Sequence, residues 1–297
     1  MPPRSTGKKV SRPSMVKPGK FSVIRTVPAM RRWAEKNGGI CGFVPTLGAL
    51  HDGHVSLIKK ARSENRVAAV SIFVNPLQFR KKQYLAYPRN LEVDLEIARK
   101  AGANVVFAPS AEEMYPAGFE TGVTLPQFFQ RLKPQGLEWH YKGVLVVVLK
   151  LLQLVRPSKV YFGLKDPHQL VLIERMVADL NIPVTVRKCP TVRERDGLAR
   201  SSRNALLTPD ERKAAPVIFR ALSHGKREME SGASCAQAMA GMREMISAQP
   251  LASVELVEIA DALTLAPPGN RTRDVLIFAA VRIGGKRLAD NVRFRLK

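Results

Sequence analysis

The sequence predicts an α/β fold, a doubly wound parallel sheet followed by a smaller C-terminal α+β domain. Three observations predict it. Continuous apolar runs of strand length alternate with helix-length segments between residues 27 and 190, which is how strands buried on both faces read. Polar loops bearing glycine, proline or asparagine follow those strands, where an open α/β sheet binds its ligands. Beyond residue 204 the order changes to long helical patterns and then strands, the mark of a separate α+β unit.

The elements follow in chain order. Val27, Met30, Trp33 and Ala34 have helical spacing, and Gly38-Gly39 end that helix. "ICGFV" (40–44) reads as a strand, 45–53 as a loop and 54–64 as a helix. "VAAVSIFV" (67–74) is the second strand; Asn75-Pro76 and a basic "RKKQ" then lead to a helix at 91–100 and a third strand at 104–109. A buried helix is read at 143–155, a strand at 159–163, a helix at 166–180 and a strand at 182–190. With right-handed crossovers this makes a Rossmann-like sheet. Thr208 caps and Pro209 opens the next helical stretch, which runs to about 249, and strand-like runs at 253–260 and 274–283 close the chain. The domain reading is a basic disordered tail at 1–20, a catalytic domain at 21–204 and a lid-like domain at 205–297.

Composition narrows the function classes. The chain has 297 residues, 45% of them hydrophobic, and Lys150 closes its strongest apolar run at 144–149, so no membrane span is expected. Cys41, Cys189 and Cys235 are too scattered for a disulfide framework or a zinc site, which points to a reducing, cytoplasmic setting. Net charge is +23, yet the basic residues are spread along the chain without aromatic interleaving, so no specific nucleic-acid partner is expected. The first twenty residues carry six lysines and arginines and no acid; a solvated tail is preferred to a transit peptide.

Four loops carry chemistry. "TLGALHDGH" (46–54) combines Gly48 and Gly53, which let backbone approach an anion, with His51 and His54, whose rings can donate to phosphate oxygens at a helix N-terminus. Gln78 in "FVNPLQF" offers a donor and an acceptor to a small polar substrate. "FGLKDPHQ" (162–169) places Lys165 and Asp166 at a strand end, with Gln169 one turn beyond. "ARSSRN" (199–204) gives two hydroxyls, Ser201 and Ser202, beside the guanidinium of Arg203, a phosphate clamp. Each alone reads more readily as a polar surface loop than as a site. Together they specify a nucleotide site beside a small-molecule site.

These blocks, with "YPRNLEVDL", "FAPSAEEMYP", "GVLVVVLKLLQLVRPSKVYFGLKD" and "PTVRERDGLARSSRNALLTPDER", occur in an order that resembles the pantoate–β-alanine ligases. That family belongs to the H-x-G-H nucleotidyltransferases, related to class I aminoacyl-tRNA synthetases. The resemblance implies a two-step reaction in which pantoate attacks the α-phosphorus of Mg-ATP and β-alanine then attacks the resulting acyl adenylate, releasing AMP. It implies ATP contacts for Leu47, Gly48, His51, Gly53, His54, Gly163, Leu164, Lys165, Asp166, Val192, Arg200, Ser201, Ser202 and Arg203. His54, His51, Lys165 and Arg203 become the catalytic set. Gln78 and Gln169 would hold pantoate, with Gln78 also bordering β-alanine. Asp94 is a candidate for the Mg2+ region, with a helix-surface carboxylate as the alternative, and a homodimer is implied.

Several positions depart from the pattern. Leu164 replaces a Glu or Gln, "LEWHY" (137–141) replaces an Arg- and Gly-bearing loop, and Arg200 stands where an apolar residue normally precedes the two serines. Two other readings stay open: a sister H-x-G-H enzyme adenylating a different small acid, and a nucleic-acid binder resting on the net charge.

Overall fold

The computed structural model describes residues 21–132 and 136–296, so the basic tail lies outside the described residues. Six parallel strands form the main sheet: β1 (Ser22–Ile24), β2 (Cys41–Thr46), β3 (Val67–Ile72), β4 (Val105–Phe107), β5 (Lys159–Gly163) and β6 (Thr185–Cys189). Their spatial order is β1-β4-β3-β2-β5-β6. The chain winds outward in one direction from β2 through β3 to β4, and in the other from β5 to β6. The switch point therefore lies between β2 and β5, and a ligand crevice is expected at their carboxyl ends.

Alternation within the strands explains their apolar composition. In β2, Cys41 and Phe43 face one layer and Val44 the other; in β5, Val160 and Phe162 oppose Tyr161 in the same way. The first layer is built from α1 (Val27–Asn37), α7 (Glu138–Val155) and α8 (Pro167–Asp179), with Met30, Leu145 and Ile173 fully buried. The second uses α2 (Asp52–Glu64) and α4 (Leu91–Ala101), through Ile58, Ala61 and Ala98. Between these elements lie the shorter α3 (Lys81–Ala86), α5 (Ala111–Met114) and α6 (Pro126–Leu132).

The C-terminal part packs α9 (Pro209–Ala214), α10 (Val217–Glu230) and α11 (Cys235–Ser247) on an antiparallel sheet of β7 (Ala252–Asp261), β8 (Asp274–Ile283) and β9 (Lys286–Arg295). Thr208 and Glu211 form the capping box that starts α9, with Pro209 in the first turn, as its sequence predicts.

Four differences from the sequence reading have physical causes. β1 is three residues long, too short to show a period. β9 is a full strand although "KRLADNVRFR" is half charged, because Leu288, Asp290, Asn291 and Phe294 turn inward. α7 starts at Glu138 rather than 143: Leu137, Tyr141 and Leu145 share one face, and Lys142 pairs with Glu138 at 2.7 Å. α2 starts at Asp52, because His51 itself caps it. The three cysteines are unpaired, and burial pushes the Cys41 thiol up to about 12, making it inert. Among the described residues no helix is long and apolar enough to cross a membrane.

Candidate active site

The loop between β2 and α2 reverses the chain at the switch point. Gly48 sits at φ +84°, and a Cβ there would lie 2.9 Å from Asp94 Oδ2. Ala49 follows at φ +51°, an unfavourable backbone for a residue with a side chain. Asp94 holds this geometry: its Oδ2 accepts from the Ala49 N–H at 2.9 Å and its Oδ1 from the Leu50 N–H at 2.8 Å.

This arrangement corrects the reading of Asp94 as a helix-surface carboxylate. It is only 3% exposed, and each of its oxygens accepts from a loop amide. Among the described residues no group of three or more His, Cys, Asp or Glu side chains converges to hold a metal ion. Asp94→Ala strands two amides and releases the loop, at a cost of about 1–3 kcal/mol for each donor left buried and unpaired. The expected result is a lower Tm together with a loss of nucleotide affinity, read by thermal unfolding with and without ATP; an unchanged ATP-induced shift in Tm contradicts this role.

The same loop fixes the histidines. His51 Nδ1 accepts from the Gly53 N–H at 3.1 Å, and His54 Nδ1 accepts from the His51 N–H at 3.3 Å, a reciprocal cap in which imidazoles replace the usual hydroxyl and carboxylate. A Cβ on Gly53 would meet the His51 ring at 2.8 Å, so glycine is needed for the ring to fold back. With both Nδ1 atoms accepting, each neutral ring carries its proton on Nε2. The ring centroids are 4.2 Å apart. Burial holds His51 below the ordinary histidine value, with the Lys165 charge adding to it; burial and then the His51 charge push His54 down to about 3. Both are neutral N–H donors at pH 7.

Lys165 and Asp166 leave the end of β5, beside those rings. The Lys165 ammonium lies 3.5 Å from Asp166 Oδ1, and it holds that carboxyl below the usual carboxylate range. Asp166 precedes α8 and Gln169 lies in its first turn, half-buried. Leu164 and Lys165 are held from behind, since Asn291 Nδ2 on β9 donates to both of their carbonyls at 2.9 and 3.0 Å.

The third wall is the segment 190–206. Arg193 pairs with Ala199 in an isolated antiparallel bridge, and the Arg200 N–H donates to the Val192 carbonyl at 2.9 Å. The Arg193 guanidinium grips Asp290 of β9 at 2.5 and 3.1 Å, donates to the Asn291 carbonyl and lies 4.0 Å over Phe219. The Ser201 hydroxyl oxygen accepts from the Arg203 N–H at 3.3 Å and starts a short helical turn over Ser202–Leu206. Lys165, Ser201 and Arg203 line one narrow recess with Asp290. The Arg200 guanidinium meets Asp52 and Glu194.

Gln78 occupies a separate, buried corner after β3. Asn75 caps a single turn at Pro76–Gln78, and its Nδ2 donates to Gln78 Oε1 at 2.9 Å and to the Gly143 carbonyl at 3.0 Å. Tyr115 donates to Asn75 Oδ1 at 2.8 Å, and His140 Nδ1 donates to the Gln78 carbonyl at 2.8 Å. Both Gln78 oxygens, side-chain and backbone, are thus engaged as acceptors. Asn75, Tyr115, His140, Arg193, Asp290 and Asn291 support the site without having been singled out as site residues. Their signal in sequence was slight, because Tyr115, His140, Arg193, Asp290 and Asn291 each work through a partner more than thirty residues away in the chain.

A doubly wound sheet whose switch point carries an H-x-G-H loop, with a lysine at the neighbouring strand end, defines an H-x-G-H nucleotidyltransferase-type protein. The family model described as pantoate-beta-alanine ligase matches residues 22–293. A pantothenate synthetase from Heliobacterium modesticaldum is 45% identical over 91% of this chain and 96% of its own, and one from Moorella thermoacetica is 44% identical over 92% and 98%. Among solved structures, pantothenate synthetase from Thermus thermophilus superposes with a TM-score of 0.85 at 41% identity, covering 92% of this chain and 99% of that one. The Francisella tularensis pantoate-beta-alanine ligase, complexed with β,γ-ATP and β-alanine, gives 0.72 at 34% identity over 92% and 97%. The chain belongs to the pantoate–β-alanine ligase family.

Proposed function

We infer that this chain condenses pantoate with β-alanine at the expense of ATP, through a pantoyl adenylate, releasing AMP and pyrophosphate. The observation that carries the reading is the pair of neutral Nε2–H donors on His51 and His54, set beside Lys165 at the switch point. The ligand-bearing Francisella structure, with its ATP analogue and β-alanine, supports it.

Chemistry follows from that placement. Pantoate's carboxylate is a poor electrophile, and adenylation gives its carbon a good leaving group. One carboxylate oxygen bonds to the α-phosphorus as the bond to the bridging pyrophosphate oxygen breaks. His51, His54 and Lys165 face the phosphate oxygens on which charge grows, and their fixed N–H groups need no reorganisation. Ser201 and Arg203, with Ser202 between them, take the departing pyrophosphate. Mg2+ enters as part of the substrate, on the phosphate oxygens. Gln78 donates to pantoate from its buried corner, Gln169 closes on it from α8, and β-alanine approaches beside Gln78. Its amine then attacks the acyl carbon, AMP leaves on the phosphate oxygen, and the amine proton passes to solvent.

Residues 21–204 serve in this reading as the ATP- and pantoate-binding part and 205–297 as a lid, in a cytoplasmic homodimer. Leu47, Gly163, Leu164 and Val192 line the nucleotide.

The neutral histidines set a pH expectation. Folded His54 keeps its neutral form until the pH nears about 3, whereas the stability tied to that form is full only above the free value near 6.5 and is lost as the pH falls from there toward 3. Turnover between pH 6 and 8 is therefore expected to show no histidine limb belonging to His54. An acid limb in that window that disappears in His54→Ala contradicts it.

The function itself is tested by product analysis. Nucleotide turnover is expected to need both pantoate and β-alanine and to yield AMP. ADP in its place overturns the adenylate route.

A further inference from the structure

We propose that Arg200 is a positioning residue, a latch that ties the H-D-G-H loop to the serine–arginine clamp so that two walls of the nucleotide site move as one. The proposal rests on the ligase reading only for its catalytic readout. Arg200 Nε and Nη2 reach the two Glu194 oxygens at 3.2 Å each, while Nη1 meets Asp52 Oδ2. Glu194 lies in the same segment as the clamp; Asp52 lies between His51 and Gly53, at the first turn of α2. One guanidinium therefore joins two segments separated by more than a hundred residues of chain.

Charge argues against a phosphate contact. Arg200 faces two carboxylates, which together outweigh its single positive charge, so the triad presents no net attraction to a polyanion. Arg203, the next arginine along, is exposed, and its charge acts on Asp166 at the end of β5, which places it for that task. The fork-shaped guanidinium suits the double engagement: two parallel bonds to Glu194 fix its plane and leave the third nitrogen aimed across the gap. Asp52, in turn, sits where the α2 N-terminus favours a negative charge. An apolar side chain at 200 could make neither connection.

Arg200 is 36% exposed, Glu194 34% and Asp52 60%, so solvent weakens both pairs. Arg200→Met is expected to raise the KM and Kd for ATP by about three- to tenfold, as for two part-screened pairs, and to leave the pantoate KM unchanged. Asp52→Asn should move ATP affinity in the same direction, and the double variant should be no worse than the worse single one. Arg200→Lys, which keeps the charge without the fork, should fall between wild type and Arg200→Met. High salt should erase the wild-type advantage over Arg200→Met.

Calorimetric ATP binding without pantoate reads the latch even if no ligation is found, whereas absent pantoate-dependent turnover in the wild type condemns the ligase reading alone. Unchanged ATP affinity in Arg200→Met overturns the latch. So does tighter ATP binding in Asp52→Asn or Glu194→Gln with weaker binding in Arg200→Met, which would assign Arg200 to the nucleotide directly.

Discussion

Replacing His54 by alanine is expected to slow pantoate-dependent turnover by about 10²–10³-fold, the loss typical of one preorganised donor to developing oxyanion charge. The ring does two jobs. In the proposed reaction its Nε2–H serves the phosphate oxygens, and its Nδ1 accepts the His51 amide at 3.3 Å. Losing the second is a capping loss of about 0.5–2 kcal/mol, small enough for the chain to fold. The expected signature is a collapse of kcat with a modest fall in Tm, read by steady-state kinetics and thermal unfolding on the same preparation. A His54→Ala enzyme within tenfold of wild type contradicts the role given to Nε2.

Replacing Arg193 by methionine is expected to cost about 3–5 kcal/mol of stability, because it strands a buried charge. Asp290 is 4% exposed, and burial already raises its carboxyl above the usual range despite the arginine. The variant also loses the cover on Phe219 and the bond to the Asn291 carbonyl. Arg193 sits in the segment carrying the clamp, and Asp290 and Asn291 adjoin on the strand that holds Leu164 and Lys165. Activity should therefore fall with stability. Restoring part of both by Asp290→Asn in the Arg193→Met background, which removes the stranded charge, separates this account from a simple packing defect. Denaturant unfolding of the two variants decides it.

The inner strands of the parallel sheet, β2 to β5, were legible because they are buried on both faces. Cys41 and Phe43 serve one layer and Val44 the other, so the run is apolar throughout and short. β9 escaped because its inward positions include Asp290 and Asn291, polar residues that are buried only because Arg193 and two carbonyls partner them. No periodicity reports such a pairing before the fold is known. At the site, His51, His54, Gln78, Lys165 and Arg203 stood out because each carries its chemistry in its own side chain. Asp94 looked equally chemical, and in the structure its carboxylate supports the loop backbone. What decides between the two is where its oxygens point, and only the backbone of Ala49 and Leu50 reveals that. Arg200 was read as part of the clamp from its position in "ARSSR", while its partner Asp52 lies far away in sequence.

The central claim is that the switch-point loops activate pantoate as an adenylate before β-alanine takes part. Exchange of labelled pyrophosphate into ATP, measured on the full chain without β-alanine, tests it most directly. The account predicts exchange that requires pantoate and is suppressed when β-alanine draws off the intermediate. Absence of exchange with pantoate, or equal exchange with an unrelated small acid, would contradict it.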